Sequence, residues 1–120
     1  MPMRGIRGAT LLQADDAGEM ADAVTELVRQ MLERNGLTSD DLVSILFTAP
    51  PDLRCAFPAA AARSLGLVDV PLICAQELAV HGAMPRVVRV LAHAETDLPR
   101  AHVQHVYLRG AEALRQDLAT

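Results

Sequence analysis

The chain has 120 residues, 51% of them apolar, which fits one folded domain (residues 1–120) rather than a disordered chain or a pair of domains. Its formal net charge of −4 offers no electrostatic footprint for nucleic acid or an anionic membrane, and no run approaches the ~20 apolar residues of a membrane span. Cys55 and Cys74 are the only cysteines and lack zinc-site spacing. With no signal-peptide run at Met1–Thr10, the expectation is a cytoplasmic protein with reduced thiols and no metal.

In chain order, Met3–Thr10 predicts a first strand, with Gly5 and Gly8 as points of close backbone approach. Asp15 or Asp16 then offers an N-cap, and Glu19 sits favourably in the first helical turn. Met20, Val24, Leu27, Val28, Met31 and Leu32 recur at spacings of three and four, the pattern of an amphipathic helix that Gly36 ends. Leu42–Thr48 is a compact apolar run rich in β-formers, and Ala49–Asp52 breaks it. Pro58, the alanines behind it and Gly66 frame a short helix, with Pro in its first turn and Gly past its end.

Pro71–Cys74 predicts another strand, Gly82 and Pro85 a turn, and Val87–Ala94 a further strand. Asp97–Ala101 reads as a turn or one helical turn. Val103–Leu108 reads as a last strand and Ala111–Leu114 as a last helical turn. The order predicts an α+β domain, one mixed sheet covered by helices. With only Tyr107, Phe47 and Phe57 as aromatics, its core must be built from Leu, Val, Ile and Ala.

Periodicity stops at the fold; four segments go further. They are Arg4-Gly5-Ile6-Arg7-Gly8-Ala9-Thr10; Pro51-Asp52-Leu53 with Phe57-Pro58-Ala59 and Arg63; Cys74-Ala75-Gln76-Glu77 with Val80, Gly82 and Arg89-Val90; and His105-Val106-Tyr107-Leu108 with Ala111, Leu114-Arg115 and Asp117-Leu118. In this order and spacing, spanning residues 4 to 118, the chain resembles the small trimeric bacterial chorismate mutases of the mixed α/β class.

The resemblance implies an isomerase of aromatic amino-acid biosynthesis that turns chorismate into prephenate without a cofactor. It implies a homotrimer like a pseudo-α/β barrel, with three active sites in the clefts between subunits. Arg7, Cys74, Glu77, Arg89 and Tyr107 would come from one subunit, and Phe57, Ala59 and Arg63 from its neighbour. Ile73 would also touch substrate, and Leu114 and Arg115 would close the mouth. The family often has a basic residue where this chain has Ala60.

These residue types suit that chemistry. The rearrangement is concerted and unimolecular, so the protein must select a reactive conformer and stabilise charge. Arginine forks grip carboxylates through two hydrogen bonds, which suits Arg7, aided by the Tyr107 hydroxyl. Glu77, with the Cys74 thiol as a weaker partner, would receive the ring hydroxyl. Arg89 would meet the negative charge that develops on the ether oxygen.

Taken singly, each residue has a plainer reading: Arg7 as a solvated or ion-paired surface charge, Glu77 as an exposed one, Cys74 as a small buried hydrophobe, Tyr107 as core or interface. His81, His93, His102 and His105 read as structural or surface residues. A binding module that senses chorismate without converting it is the alternative in another class, and a trimeric imine deaminase is a more distant one.

Overall fold

The computed structural model describes residues 2–115, and of Arg115 the backbone alone. Five strands and two helices form two layers: β1 (Met3–Leu11), α1 (Ala17–Arg34), β2 (Leu42–Ala49), α2 (Pro58–Ser64), β3 (Leu72–Gln76), β4 (Val87–Glu95) and β5 (Val106–Leu108). The sheet order is β3-β2-β4-β1-β5. The central β4 runs antiparallel to both β1 and β2, whereas β5 joins β1, and β3 joins β2, in parallel. The expected mixed sheet is present, with its helices on one face.

Alternation along the strands decides what each face holds. Ile6, Thr10, Ile45, Phe47, Val88, Val90, Ala92 and Ala94 are all at most 3% exposed. The apolar ones pack with Met20, Val24, Leu27, Val28 and Met31 of α1 in one core. Full burial of each larger aliphatic or aromatic side chain is worth roughly 1.5–3 kcal/mol. The intervening residues, Arg7, Ala9, Leu46, Thr48, Arg89 and Leu91, look out from the other face.

Gly8 explains how closely the layers meet. A Cβ built there would lie 2.5 Å from Met31 Sδ and 3.2 Å from Leu27 Cδ1, so α1 rests on the bare backbone of β1. Gly5 is not such a point: its added Cβ would meet only Leu91 Cδ1, at an ordinary 3.6 Å.

The ends of α1 resolve the choice between two caps. The Asp16 carboxylate accepts the Glu19 N–H at 2.8 Å, and the Glu19 carboxylate reaches back to the N–H groups of Gln13 and Ala14. Asp15 turns away, to the N–H groups of Arg54 and Cys55, both at 2.9 Å. At the far end Gly36 adopts φ +63°, and the Leu37 N–H reaches Leu32 O at 2.9 Å, a Schellman closure.

Two expectations need adjusting, and one turn is added. The last strand begins at Val106, not Val103, because the backbone of Gln104 is otherwise engaged. The buried side chain of Asn35 donates to Gln104 O at 2.9 Å and accepts its N–H at 2.8 Å. The turn before it is a 3-10 turn at Arg100–His102, one residue later than the Asp97–Ala101 stretch would end. A 3-10 turn at Ser39–Asp41, with Thr38 N–H donating to the Asp41 carboxylate at 2.9 Å, was not foreseen. No helix among the described residues is long and apolar enough to cross a membrane.

Candidate active site

The register of the three central strands assembles the site. Arg89 on β4 lies between Thr48 of β2 and Ala9 of β1. Ala9 in turn lies beside Tyr107 of β5. Alternation turns Arg89 out from the helix-free face, and the small side chain of Ala9 leaves room beside it. These residues, with Arg7, Leu46, Glu77, Leu91 and Leu114, line a cavity of about 210 Å³. Leu114 comes from a 3-10 turn at Ala111–Arg115, close to the expected final turn, and packs against the small cluster of Ala9, Val87 and Ala111.

Glu77 sits just beyond β3, its N–H bonded to Ala49 O at 3.0 Å. One carboxylate oxygen accepts the Thr48 hydroxyl at 2.9 Å and lies 3.5 Å from Arg89 Nε. The Arg89 and Glu77 side chains are 45% and 34% exposed, so this pair is weak by itself and serves to orient. Arg7 is held differently. Its N–H donates to His105 Nδ1 at 2.9 Å, whereas its side-chain Nε is buried and makes no hydrogen bond to the described residues. A buried guanidinium N–H without an acceptor is costly, and an anion entering the cavity would relieve it.

The other expected residues stand apart. Cys74 and Phe57 line a separate, wider cleft of about 660 Å³, bounded by the Ala49–Pro58 segment and β3. Cys74 is thus not brought together with Arg7, Glu77, Arg89 and Tyr107. Phe57 is 73% exposed and Ile73 63%, each ready for contact, while Ala59 is buried in the core and Arg63 is exposed. The side chain of Arg115 and the Asp117-Leu118 pair lie outside the described residues.

Behind Arg54 and Cys55 of that wider cleft, the Asp15 carboxyl is held below its ordinary value of 3.8, first by the Arg54 N–H and then by the Cys55 thiol. The Cys55 thiol is pushed up, chiefly by burial and next by that carboxylate. Cys55 is therefore kept as a thiol.

Two contributors escaped sequence reasoning. Thr48 fixes the Glu77 carboxylate, and only the pairing of β2 with β4 shows that it shares a face with Arg89. His105, expected to be structural or surface, braces the backbone of Arg7; its place one residue before β5 was the available signal. Chemically, two guanidinium groups, one carboxylate and a phenol around apolar walls suit a small anion that also carries a hydroxyl.

The sequence matches the family described as chorismate mutase type I over residues 3–118. It is 49% identical over 117 residues to the chorismate mutase AroH of Thermus thermophilus, covering 97% of this chain and 96% of that one. Identity to the chorismate mutase AroH of Bacillus subtilis (strain 168) is 39% over 120 residues, covering 99% and 94%. A solved structure of a chorismate mutase from Clostridium thermocellum superposes with a TM-score of 0.89 at 41% identity, covering 91% of this chain and 97% of that one.

Proposed function

Given that this chain belongs to the type I chorismate mutase family and is an isomerase, we propose that the cavity around Arg89 holds chorismate and rearranges it to prephenate, a step of aromatic amino-acid biosynthesis. The observation that carries this reading is the pair of cations on the open face: Arg89 oriented by Glu77, and Arg7 with a buried N–H in want of an acceptor.

Chorismate carries two carboxylates, a ring hydroxyl and an enolpyruvyl ether. In the rearrangement the ether carbon–oxygen bond breaks as a carbon–carbon bond forms, within one molecule and without an external acid, base or nucleophile. Arg7, with the Tyr107 hydroxyl beside the same cavity, grips one carboxylate and favours the folded conformer. Positioning can be worth about 7–11 kcal/mol in well-oriented systems, but a reaction that is already unimolecular draws on a smaller part of it. Glu77 accepts the ring hydroxyl.

Arg89 has the larger electrostatic task. Charge accumulates on the ether oxygen only as its bond lengthens, so a cation fixed there stabilises the transition state more than the bound substrate. The loose, half-exposed contact with Glu77 costs little to exchange for that oxygen.

The cavity is one half of the proposed site. Phe57, and Ile73 on β3, both exposed, would be presented by a neighbouring subunit of a homotrimer, together with Arg63. Ala59 would reach the substrate only through its backbone or a small shift, being buried here. Because Cys74 shares the Phe57 cleft, it travels with that half in this reading. Arg115, by charge alone, would help close the mouth along with Leu114. Exposed Leu78 and Val80 extend the apolar strip that such an assembly would cover.

The test is loss of chorismate absorbance with purified protein and with Arg89→Ala. Wild type should yield prephenate, and the variant should lose roughly 100- to 1,000-fold in kcat with a much smaller change in KM. Near-normal kcat in Arg89→Ala would remove Arg89 from this role. A wild type that binds chorismate and returns it unchanged would make the protein a sensor.

A further inference from the structure

Between β2 and α2 the chain forms an arch. Leu53 at one foot and Pro58 at the other are buried, while Arg54, Ala56 and Phe57 stand exposed, Phe57 by 73%. Between those feet, the N–H groups that find an acceptor among the described residues are those of Arg54 and Cys55. Both reach the same oxygen of Asp15, each at 2.9 Å, from 39 and 40 residues away in the chain. The Cys55 thiol adds a hydrogen bond to that carboxylate.

Asp15 is itself firmly set. Before it, the Glu19 carboxylate accepts the N–H groups of Gln13 and Ala14 at 2.6 and 3.1 Å; after it, Asp16 accepts the Glu19 N–H and caps α1. The carboxylate is thereby seated at the end of an 18-residue helix before it meets the arch. Because Asp16 supplies the cap, the Asp15 side chain is left to the arch.

We propose that Asp15 is a positioning residue, which holds the arch so that Phe57 is presented to substrate. The inference rests on the function proposed above, in which Phe57 lines a site completed by a neighbouring subunit. Loss of the shared acceptor frees the four residues between Leu53 and Pro58, and substrate binding then has to order them. That cost falls on bound substrate and transition state alike, because an apolar ring meets none of the developing charge. KM therefore rises while kcat, which depends on Arg89, holds. An amide oxygen at position 15 can accept the same two N–H groups, so Asn keeps the hold that Ala loses.

The chain has two phenylalanines, so para-fluorophenylalanine gives the intact protein two fluorine NMR signals. Phe47, fully buried, reports the core, and Phe57 reports the arch. Asp15→Ala should displace or broaden the Phe57 signal and leave the Phe47 signal in place. It should raise KM for chorismate about two- to tenfold, the scale of one or two lost hydrogen bonds, with kcat within about twofold. Asp15→Asn should keep the Phe57 signal and hold KM within about twofold of wild type. An unmoved Phe57 signal or an unchanged KM in Asp15→Ala would overturn the proposal. So would equal damage in Asp15→Asn, or kcat falling with KM as both signals move, the mark of a general loss of structure. A wild type inactive toward chorismate would sink the function proposed above, and the Phe57 signal in Asp15→Ala would still decide whether Asp15 sets the arch.

Discussion

The two faces of the sheet are made by alternate residues of the same strands, yet they answer to different physical demands. On the helix side, Phe47, Val88 and Val90 are sealed under α1 and α2, and the apolar contacts are filled. On the other side, the neighbours of those residues, Thr48, Arg89 and Leu91, stand around an open cavity with a guanidinium donor unpaired next door. One residue of displacement along a strand moves a side chain from the first environment to the second. Stability is concentrated on one face and the candidate site lies on the other.

Substitutions can break that division or sharpen it. Phe47→Ala should be the most damaging, lowering unfolding free energy by about 3–5 kcal/mol in denaturant titration, because a fully buried ring leaves a cavity under the helices. One position away in the sheet, Arg89→Ala should leave stability within about 0.5 kcal/mol of wild type even as it abolishes most turnover. A large fall in melting temperature for Arg89→Ala would show that the open face also carries the fold. Gly8→Ala should cost about 1–3 kcal/mol through overpacking against Met31 and Leu27, and should disturb kinetics too, since Arg7 precedes it.

The smallest effect belongs to Asp15. Its carboxyl is held below 3.8 in the folded chain, so its contribution is complete above the pKa of the unfolded carboxyl and is lost as pH falls through the depressed folded value. Asp15→Asn should reduce stability slightly at neutral pH and flatten the loss between pH ~4 and lower values, as read by thermal melts across pH. An unchanged acid limb would mean that the Arg54–Cys55 turn is held by other contacts.

Much of this architecture was legible beforehand, for reasons that individual residues make plain. The spacing from Met20 to Leu32 can satisfy only a helix with one buried stripe, and the alternation through Val88, Val90 and Ala92 suits only a sheet with unlike faces. What escaped were contacts between distant parts of the chain. The side chain of Asn35 takes over the backbone of Gln104 and shortens the last strand, and no local pattern around Val103 announces it. The candidate site was named through family resemblance, and five of its residues, Arg7, Glu77, Arg89, Tyr107 and Leu114, line one cavity. Its division into an Arg89 cavity and a Phe57 cleft, with Cys74 in the latter, needed the register of β2, β3 and β4.

Gly8 carries a consequence beyond packing. Because nothing separates that backbone from Met31 and Leu27, the helix acts as the anvil against which the strand bearing Arg7 is set. The seat of β1, and of Arg7 on it, is therefore set from behind, by two side chains of the buried core. Substitutions at Leu27 or Met31 would thus be felt at the strand that bears Arg7 while leaving the lining of the cavity unchanged.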